Sequence, residues 1–322
     1  MILDLTLFDE NPNTTADSGL SAEMRTYYSD YLIDNAKPNL VHDQFGQKHA
    51  IPANGGKTIQ FRKFLPFSKA TTPLSEGVTP DGGSLSVTSV TATVDQYGYY
   101  VTISDMLQLS AIDNTLVETT KLLGNQAGAT LDTITREVLN GGTSVMYSGG
   151  KEARNAIDEN SKLSVDDIFK AARFLKTQNA PKINGTYVAI IHPDVSYDLM
   201  RDPEWIDVHK YASTSEIFEG EIGKLAGVRF VESTEAKIFK GEGASSKDVY
   251  STLVLGANAY GVTEITGGGL THIVKQLGSG GTADPLNQRA TAGWKGTKTA
   301  ERLVENYMIR IESSSSFSGS EN

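Results

Sequence analysis

Along this chain the spacing of apolar and polar side chains changes period several times, and each change predicts a change of element. The first fifty residues are polar and punctuated by Pro12, Gly19 and Pro38, which predicts an arm with little core of its own. One stretch of it, Ser21 to Ile33, has helical spacing, with Ser21 placed to cap it, Glu23 in its first turn and Tyr27, Tyr28 and Tyr31 along it. Those tyrosines dock either on their own subunit or on a neighbour. From Lys57 to Phe64, Ile59 and Phe61 alternate with Thr58, Gln60 and Arg62, a strand with one apolar side. Val87 to Ile103 alternates in the same way through Tyr97, Tyr99 and Val101. Between the two runs lie more than twenty residues that include Pro66, Pro73, Gly77, Pro80, Gly82 and Gly83. Loops of that length are functional or disordered, and a long two-stranded projection fits both halves.

After Asp105 the period becomes helical. Leu109, Ile112, Leu116, Thr120, Leu123, Ala127, Leu131, Ile134 and Val138 follow at steps of three or four until Gly141 and Gly142, predicting one long amphipathic helix. From Ile112 to Leu139 it would be roughly 40 Å long, the span of a domain. Thr115 and Glu118 also match a capping box, so an alternative start lies there, with a separate turn before it. Ser164 and Asp167 cap a helix over Val165 to Lys176, and Thr186 to Ile191 reads as a buried strand. His192 and Pro193 end that strand, and Asp194 is placed to cap a short helix. Further strands are expected at Gly227 to Glu232, Thr252 to Leu255 and, by alternation, Leu303 to Ile311. The serines beyond Ser313 look like a flexible tail.

Composition narrows the chemistry. With 322 residues the chain can bury a large core, and with no cysteine it has neither disulfides nor thiolate metal sites. A formal net charge of −10 argues against general affinity for phosphate backbones. The longest apolar runs, such as Tyr187 to Ile191, are far too short to span a bilayer, and Met1 to Glu10 has no export pattern. No pair of histidines has the spacing of a helical zinc site, and no phosphate loop, dinucleotide fingerprint or serine nucleophile elbow is present. His192, at the end of a buried strand, is the most catalytic-looking position, but a strand end followed by a helix cap explains it as well. No enzymatic activity, cofactor or metal is expected.

The order of elements, and several long stretches, resemble a known family. Leu20 to Phe64 reads LSAEMRTYYSDYLIDNAKPNLVHDQFGQKHAIPANGGKTIQFRKF, Glu76 to Asp105 reads EGVTPDGGSLSVTSVTATVDQYGYYVTISD, and Tyr187 to Trp205 reads YVAIIHPDVSYDLMRDPEW. IGKLAGVRFVES at Ile222 to Ser233 and ADPLNQRATAGWKG from Ala283 to Gly296 complete the set. Together they resemble the N4-type major capsid proteins of tailed bacteriophages. The resemblance implies an α+β, Hong Kong 97-like capsid fold. Its parts would be an N-terminal arm over residues 1–54, an extended β-hairpin loop over 55–104, a peripheral domain with a spine helix over 105–162 and 282–322, and an α/β axial domain over 163–281.

It also implies self-assembly, through hexamers and pentamers, into an icosahedral head that encloses double-stranded DNA without reading its sequence. Assembly would take place in the host cytoplasm and leave the protein in the virion. The implied partners are other copies of the chain, a portal protein, a separate scaffolding protein and, at the loop from Phe239 to Asp248, optionally a decoration protein. Contacts between subunits are expected at Tyr27, Tyr28, Tyr31, Ile59, Phe61, Phe64, Phe67, Leu74, Val78, Tyr97 and Tyr99. An encapsulin-like compartment shell and, further off, a soluble hydrolase are the competing functions.

Overall fold

The computed structural model describes residues 40–64, 67–74, 76–77, 79, 82–110, 115–209, 223–279 and 284–319, with Leu32, Asn35 and Ala36. Its strands are β1 (Gln47–Ile51), β2 (Thr58–Phe64), β3 (Val87–Thr93), β4 (Asp95–Ser104), β5 (Val145–Tyr147), β6 (Tyr187–Ile191), β7 (Lys224–Leu225), β8 (Val228–Glu232), β9 (Ile238–Phe239), β10 (Val249–Leu255), β11 (Tyr260–Ile265), β12 (Thr271–Lys275), β13 (Arg289–Arg302) and β14 (Met308–Ser313). Its helices are α1 (Asp105–Ser110), α2 (Thr115–Asn140), α3 (Val165–Thr177), α4 (Pro193–Met200) and α5 (Pro203–His209). The chain divides into two compact units. The smaller comprises Met1–Asn39, Tyr97–Gly128 and Leu270–Gly296, and the larger Leu40–Gln96, Ala129–Gly269 and Thr297–Asn322.

The larger unit is organised by a seven-stranded sheet, ordered β5-β14-β10-β6-β8-β7, with β9 on β10. Every residue of β6, β10 and β14 is buried, as expected of strands covered on both faces. One face packs on α3, whose Ile168, Ala171, Ala172 and Leu175 recur at helical spacing and join Ile191, Val195, Leu199, Trp205 and Phe230 in one core. Leu139, Ile190, Leu253, Leu255, Tyr260 and Met308 form a second core. The helix α3 begins as its sequence predicts: the Ser164 hydroxyl accepts the Asp167 N–H, and Asp167 reaches back to the Ser164 N–H.

Three expectations are corrected here. The strand expected over Leu303–Ile311 runs instead from Met308 to Ser313, after a 3-10 turn at Glu305–Tyr307, and it shows no exposed side. Its polar residues are inside because they pair: Glu312 receives Arg154 through Nε and Nη2, each at 2.7 Å, and forms an ion pair with Arg310 at 2.8 Å. The serines that follow are packed rather than a loose tail. Ser315 and Ser316 donate to Asp198 through their hydroxyls and the Ser316 N–H, and the Ser318 hydroxyl donates to the Asp248 carbonyl at 2.9 Å. At α4 the cap is His192, whose Nδ1 accepts the Asp194 N–H at 3.2 Å, with Pro193 in the first turn.

In the smaller unit β12 runs antiparallel to the first half of β13, from Thr271↔Lys295 to Lys275↔Thr291, and β4 also pairs with β13. The Trp294 indole donates to Gln126 of α2 at 2.7 Å, and Leu123, Ala127 and Ile103 are buried. The long helix starts at Thr115, the capping-box alternative, and α1 is the separate turn before it.

Candidate assembly surfaces

The ribbon β2–β3 is the first surface to consider. Its seven pairs run antiparallel from Thr58↔Thr93 to Phe64↔Val87, and it forms a sheet of two strands only. The extended run expected over Val87–Ile103 is therefore two strands: Val94 is buried and donates to the Lys57 carbonyl at 2.8 Å, closing the ribbon, and from Tyr97 the chain belongs to the smaller unit. Midway along the ribbon, Phe61 is half-buried. It stands edge-on to His49 with ring centroids 5.4 Å apart, and it occupies the space where a side chain on Gly261 would lie. A cleft of about 460 Å³ opens beside it, lined by His49, Phe61, Arg62, Lys63, Val304 and Tyr307 among others. Ile59 is half-buried as well. Farther out, Phe67, Leu74, Leu85 and Val87 are exposed, Leu74 to 78%.

A buried polar cluster fixes the chain just before β1. The carboxylate of Asp132 accepts the His42 N–H at 2.7 Å and faces His42 Nδ1 at 2.6 Å. One helical turn on, Thr135 donates to Asp43 at 2.6 Å, while Lys298 of β13 meets the other Asp43 oxygen. Burial pulls the Lys298 ammonium down to about 7, against the attraction of Asp43. The Tyr260 hydroxyl donates to the His42 carbonyl, and burial pushes that hydroxyl well above its ordinary pKa. Asp132 meets His42, and Asp43 meets Thr135 and Lys298, so the segment leading into β1 is held in one geometry.

The smaller unit carries a second apolar surface. On α1, Met106, Leu107 and Leu109 are exposed, Leu109 to 81%, and Leu286 is exposed to 75%. Tyr99 and Tyr100 of β4 are exposed beside a groove shared with Ile273, Lys275 and Trp294. An exposed apolar set of this kind makes the smaller unit a candidate contact surface.

Of the expected contact residues, Phe67, Leu74 and Tyr99 are exposed, Tyr97, Ile59 and Phe61 are half-buried, and Phe64 ends β2. Tyr27, Tyr28, Tyr31 and Val78 lie outside the described residues. Sequence reading offered α1 as a separate turn but not its apolar surface: Met106 and Leu107 were not singled out, and Leu109 was counted in the repeat of the long helix. The chemistry-bearing candidate His192 is occupied in capping α4 and lies at a tilt of 51° to the Tyr250 ring, with centroids 5.2 Å apart. Burial holds its pKa below the ordinary value. Among the described residues no group of three or more His, Asp or Glu could hold a metal ion, and no helix is long and apolar enough to cross a membrane.

Comparison with known proteins bears on these surfaces. A family model described as phage capsid protein matches residues 87–300. Among solved structures the chain is similar to the capsid of Ralstonia phage GP4, with a TM-score of 0.71 at 16% identity over 86% of this chain and 89% of that one. It is similar to the capsid of the cyanophage P-SCSP1u, with a TM-score of 0.66 at 18% identity over 84% and 87%. A virus-like particle from Pyrococcus furiosus shares the fold at a TM-score of 0.52 and 11% identity, over 90% of this chain and 99% of that one. A search of curated protein sequences finds no match.

Proposed function

The chain belongs to the phage capsid protein family, and from that premise we propose that this major capsid protein is a subunit whose projecting parts are completed only by neighbouring copies in the shell. The observation that carries this reading is the exposure of large apolar side chains on each unit, Phe67, Leu74 and Leu85 near the ribbon of the larger and Met106, Leu107 and Leu109 on α1 of the smaller. Among the described residues nothing covers them, and a neighbouring copy that did so would gain about 25 cal/mol per Å² of apolar surface buried.

In finer terms, the quoted sequence stretches support membership of the N4-type group. The reading takes residues 1–54 as an arm over a neighbour, 55–104 as the extended loop, 105–162 with 282–322 as the peripheral domain and 163–281 as the axial domain. Identical subunits then form hexamers and pentamers by heterologous contacts that close into rings. The icosahedral head so built holds double-stranded DNA, which the charge of −10 lets it enclose without gripping. It assembles in the host cytoplasm around a separate scaffolding protein and a portal, and the loop from Phe239 to Asp248 offers a place for a decoration protein. The chain acts without catalysis.

Sedimentation and negative-stain imaging of the protein, expressed alone and with its scaffold, should show large closed particles. A monodisperse monomer under all such conditions would overturn the reading. An enzyme-filled compartment shell is the second reading; nucleic acid rather than protein cargo inside native particles decides for the phage head. A turnover abolished by His192→Ala with particles intact would revive the hydrolase.

A further inference from the structure

Asparagine followed by glycine is chemically the weak step of a polypeptide, because glycine has no side chain to shield its amide nitrogen from the asparagine side chain. The chain has three such steps, Asn54-Gly55, Asn140-Gly141 and Asn184-Gly185, and the fold treats them differently. Asn140 is buried at the end of α2. Its side-chain amide donates to the Arg136 carbonyl at 2.8 Å and accepts the Ser251 hydroxyl at 2.5 Å, and the Gly141 N–H is held by the carbonyls of Glu137 and Val138. Asn184 and Gly185 form the centre of a hairpin closed from both sides: the Ile183 N–H donates to the Thr186 carbonyl at 2.8 Å, and the Thr186 N–H to the Ile183 carbonyl at 3.1 Å. The strand that leaves it, β6, is buried throughout and gives this turn no slack.

Asn54 is placed otherwise. Pro52 to Lys57 are all exposed, and the stretch has one internal backbone hydrogen bond, from the Gly55 N–H to the Pro52 carbonyl at 2.9 Å. An exposed bond of this kind opens at little cost. The turn nevertheless needs both residues. Asn54 has a φ of 66°, which asparagine tolerates, and a side chain on Gly55 would stand 2.9 Å from the Pro52 carbonyl oxygen. The glycine that the turn requires is therefore the one that presents a bare nitrogen to Asn54.

We infer that Asn54 is a site of spontaneous deamidation, through which ageing of the folded protein alters the turn leading into the β2–β3 ribbon. Once the Gly55 N–H leaves the Pro52 carbonyl and gives its proton to a solvent base, the nitrogen attacks Cγ of Asn54. The new C–N bond closes a cyclic imide, the Cγ–Nδ2 bond breaks, and ammonia leaves with a proton returned from solvent. Water then adds to either imide carbonyl and opens the ring, giving aspartate from one side and isoaspartate from the other, with no change of oxidation state. Both products add a negative charge. Isoaspartate also routes the main chain through the side-chain methylene, lengthening it by one carbon. That extra length falls between two fixed points, since the Ile51 carbonyl accepts the Thr266 N–H and the Lys57 carbonyl the Val94 N–H, each at 2.8 Å.

Trypsin releases the three asparagines in separate peptides, His49–Lys57, Glu137–Lys151 and Ile183–Arg201, none of which holds another asparagine. Mass mapping of folded protein aged under mildly alkaline conditions should show His49–Lys57 gaining about 1 Da on conversion. The gain should be faster than in the other two peptides by about tenfold or more, and in denaturant the three rates should converge. Hydrogen exchange at Val94 and Thr266 should be faster in the converted protein than in fresh protein. Asn54→Gly keeps the positive φ and cannot cyclise, so the same amides should stay protected through the same ageing. No mass gain in His49–Lys57, or an equally fast gain at Asn140 or Asn184, would overturn the inference. So would unchanged exchange at Val94 and Thr266 in fully converted protein. Each readout is taken on the free subunit and stands or falls apart from shell formation.

Discussion

A methyl group added at Gly124 would stand 2.7 Å from the carbonyl oxygen of Leu32, so this mid-helix glycine is the space into which the end of the N-terminal segment fits. Gly124→Ala gains about 1 kcal/mol of helix propensity but meets backbone, and overpacking of that kind costs about 1–3 kcal/mol. The variant should unfold at lower temperature and lose amide protection at Asn35 and Ala36. Lys298 gives a prediction of a different kind. Its folded pKa, near 7, lies below the ordinary value of 10.5, so the unfolded chain binds the extra proton and stability rises with pH between those values. The benefit is lost as pH falls toward 7. Denaturant unfolding at a series of pH values should show that slope in the wild-type protein and a shallower one in Lys298→Met. Neither residue was legible in advance, because a glycine in a helix and a lysine in a strand acquire their meaning only from what the fold sets against them.

At the scale of elements, the ribbon's loop and the C-terminal serines should respond oppositely to deletion. Removing Pro66 to Gly83 should leave the thermal transition of the body unchanged, because Phe67 and Leu74 contribute exposed rather than buried surface, yet should prevent shell closure or weaken the shell; equally stable particles would show the contact lies elsewhere. Ending the chain at Ser313 should cost at least about 2 kcal/mol, since charge-assisted hydrogen bonds to Asp198 are lost; an unchanged unfolding midpoint would contradict the packed tail. The contrast shows where sequence pattern suffices. Periodicity gave α2 and α3, and the capping box at Ser164 gave the start of α3, because those signals are local. Alternation misread Leu303 to Ile311, since the partners that allow Arg310 and Glu312 inside the sheet, notably Arg154, lie far away in the chain. The same remoteness hid the binding of the serines by Asp198. Of the proposed contact surface, the exposure of the loop was legible from its lack of core, while the apolar face of α1 was concealed inside a longer helical repeat.

Taken as a whole molecule, the subunit carries a formal charge of −10, so copies repel one another while their apolar surfaces attract. Screening acts on the repulsion, with a Debye length of about 10 Å at 0.1 M salt, and leaves burial intact. The fraction sedimenting as shells should therefore rise with ionic strength from low salt, and a steady fall would mean that opposite charges hold the interface together. The position of β14 between β10 and β5 has a consequence for synthesis. The strand that joins β5 to the rest of the large sheet follows both of its neighbours, β5 and β10, in the chain and so is synthesised after them. Until Met308 to Ser313 emerge, β10 lacks a partner on that side and the lobe cannot close. Chains that stop short of Met308 should consequently keep an open seam along β10, and limited proteolysis should cut them faster than subunits in which β14 is in place.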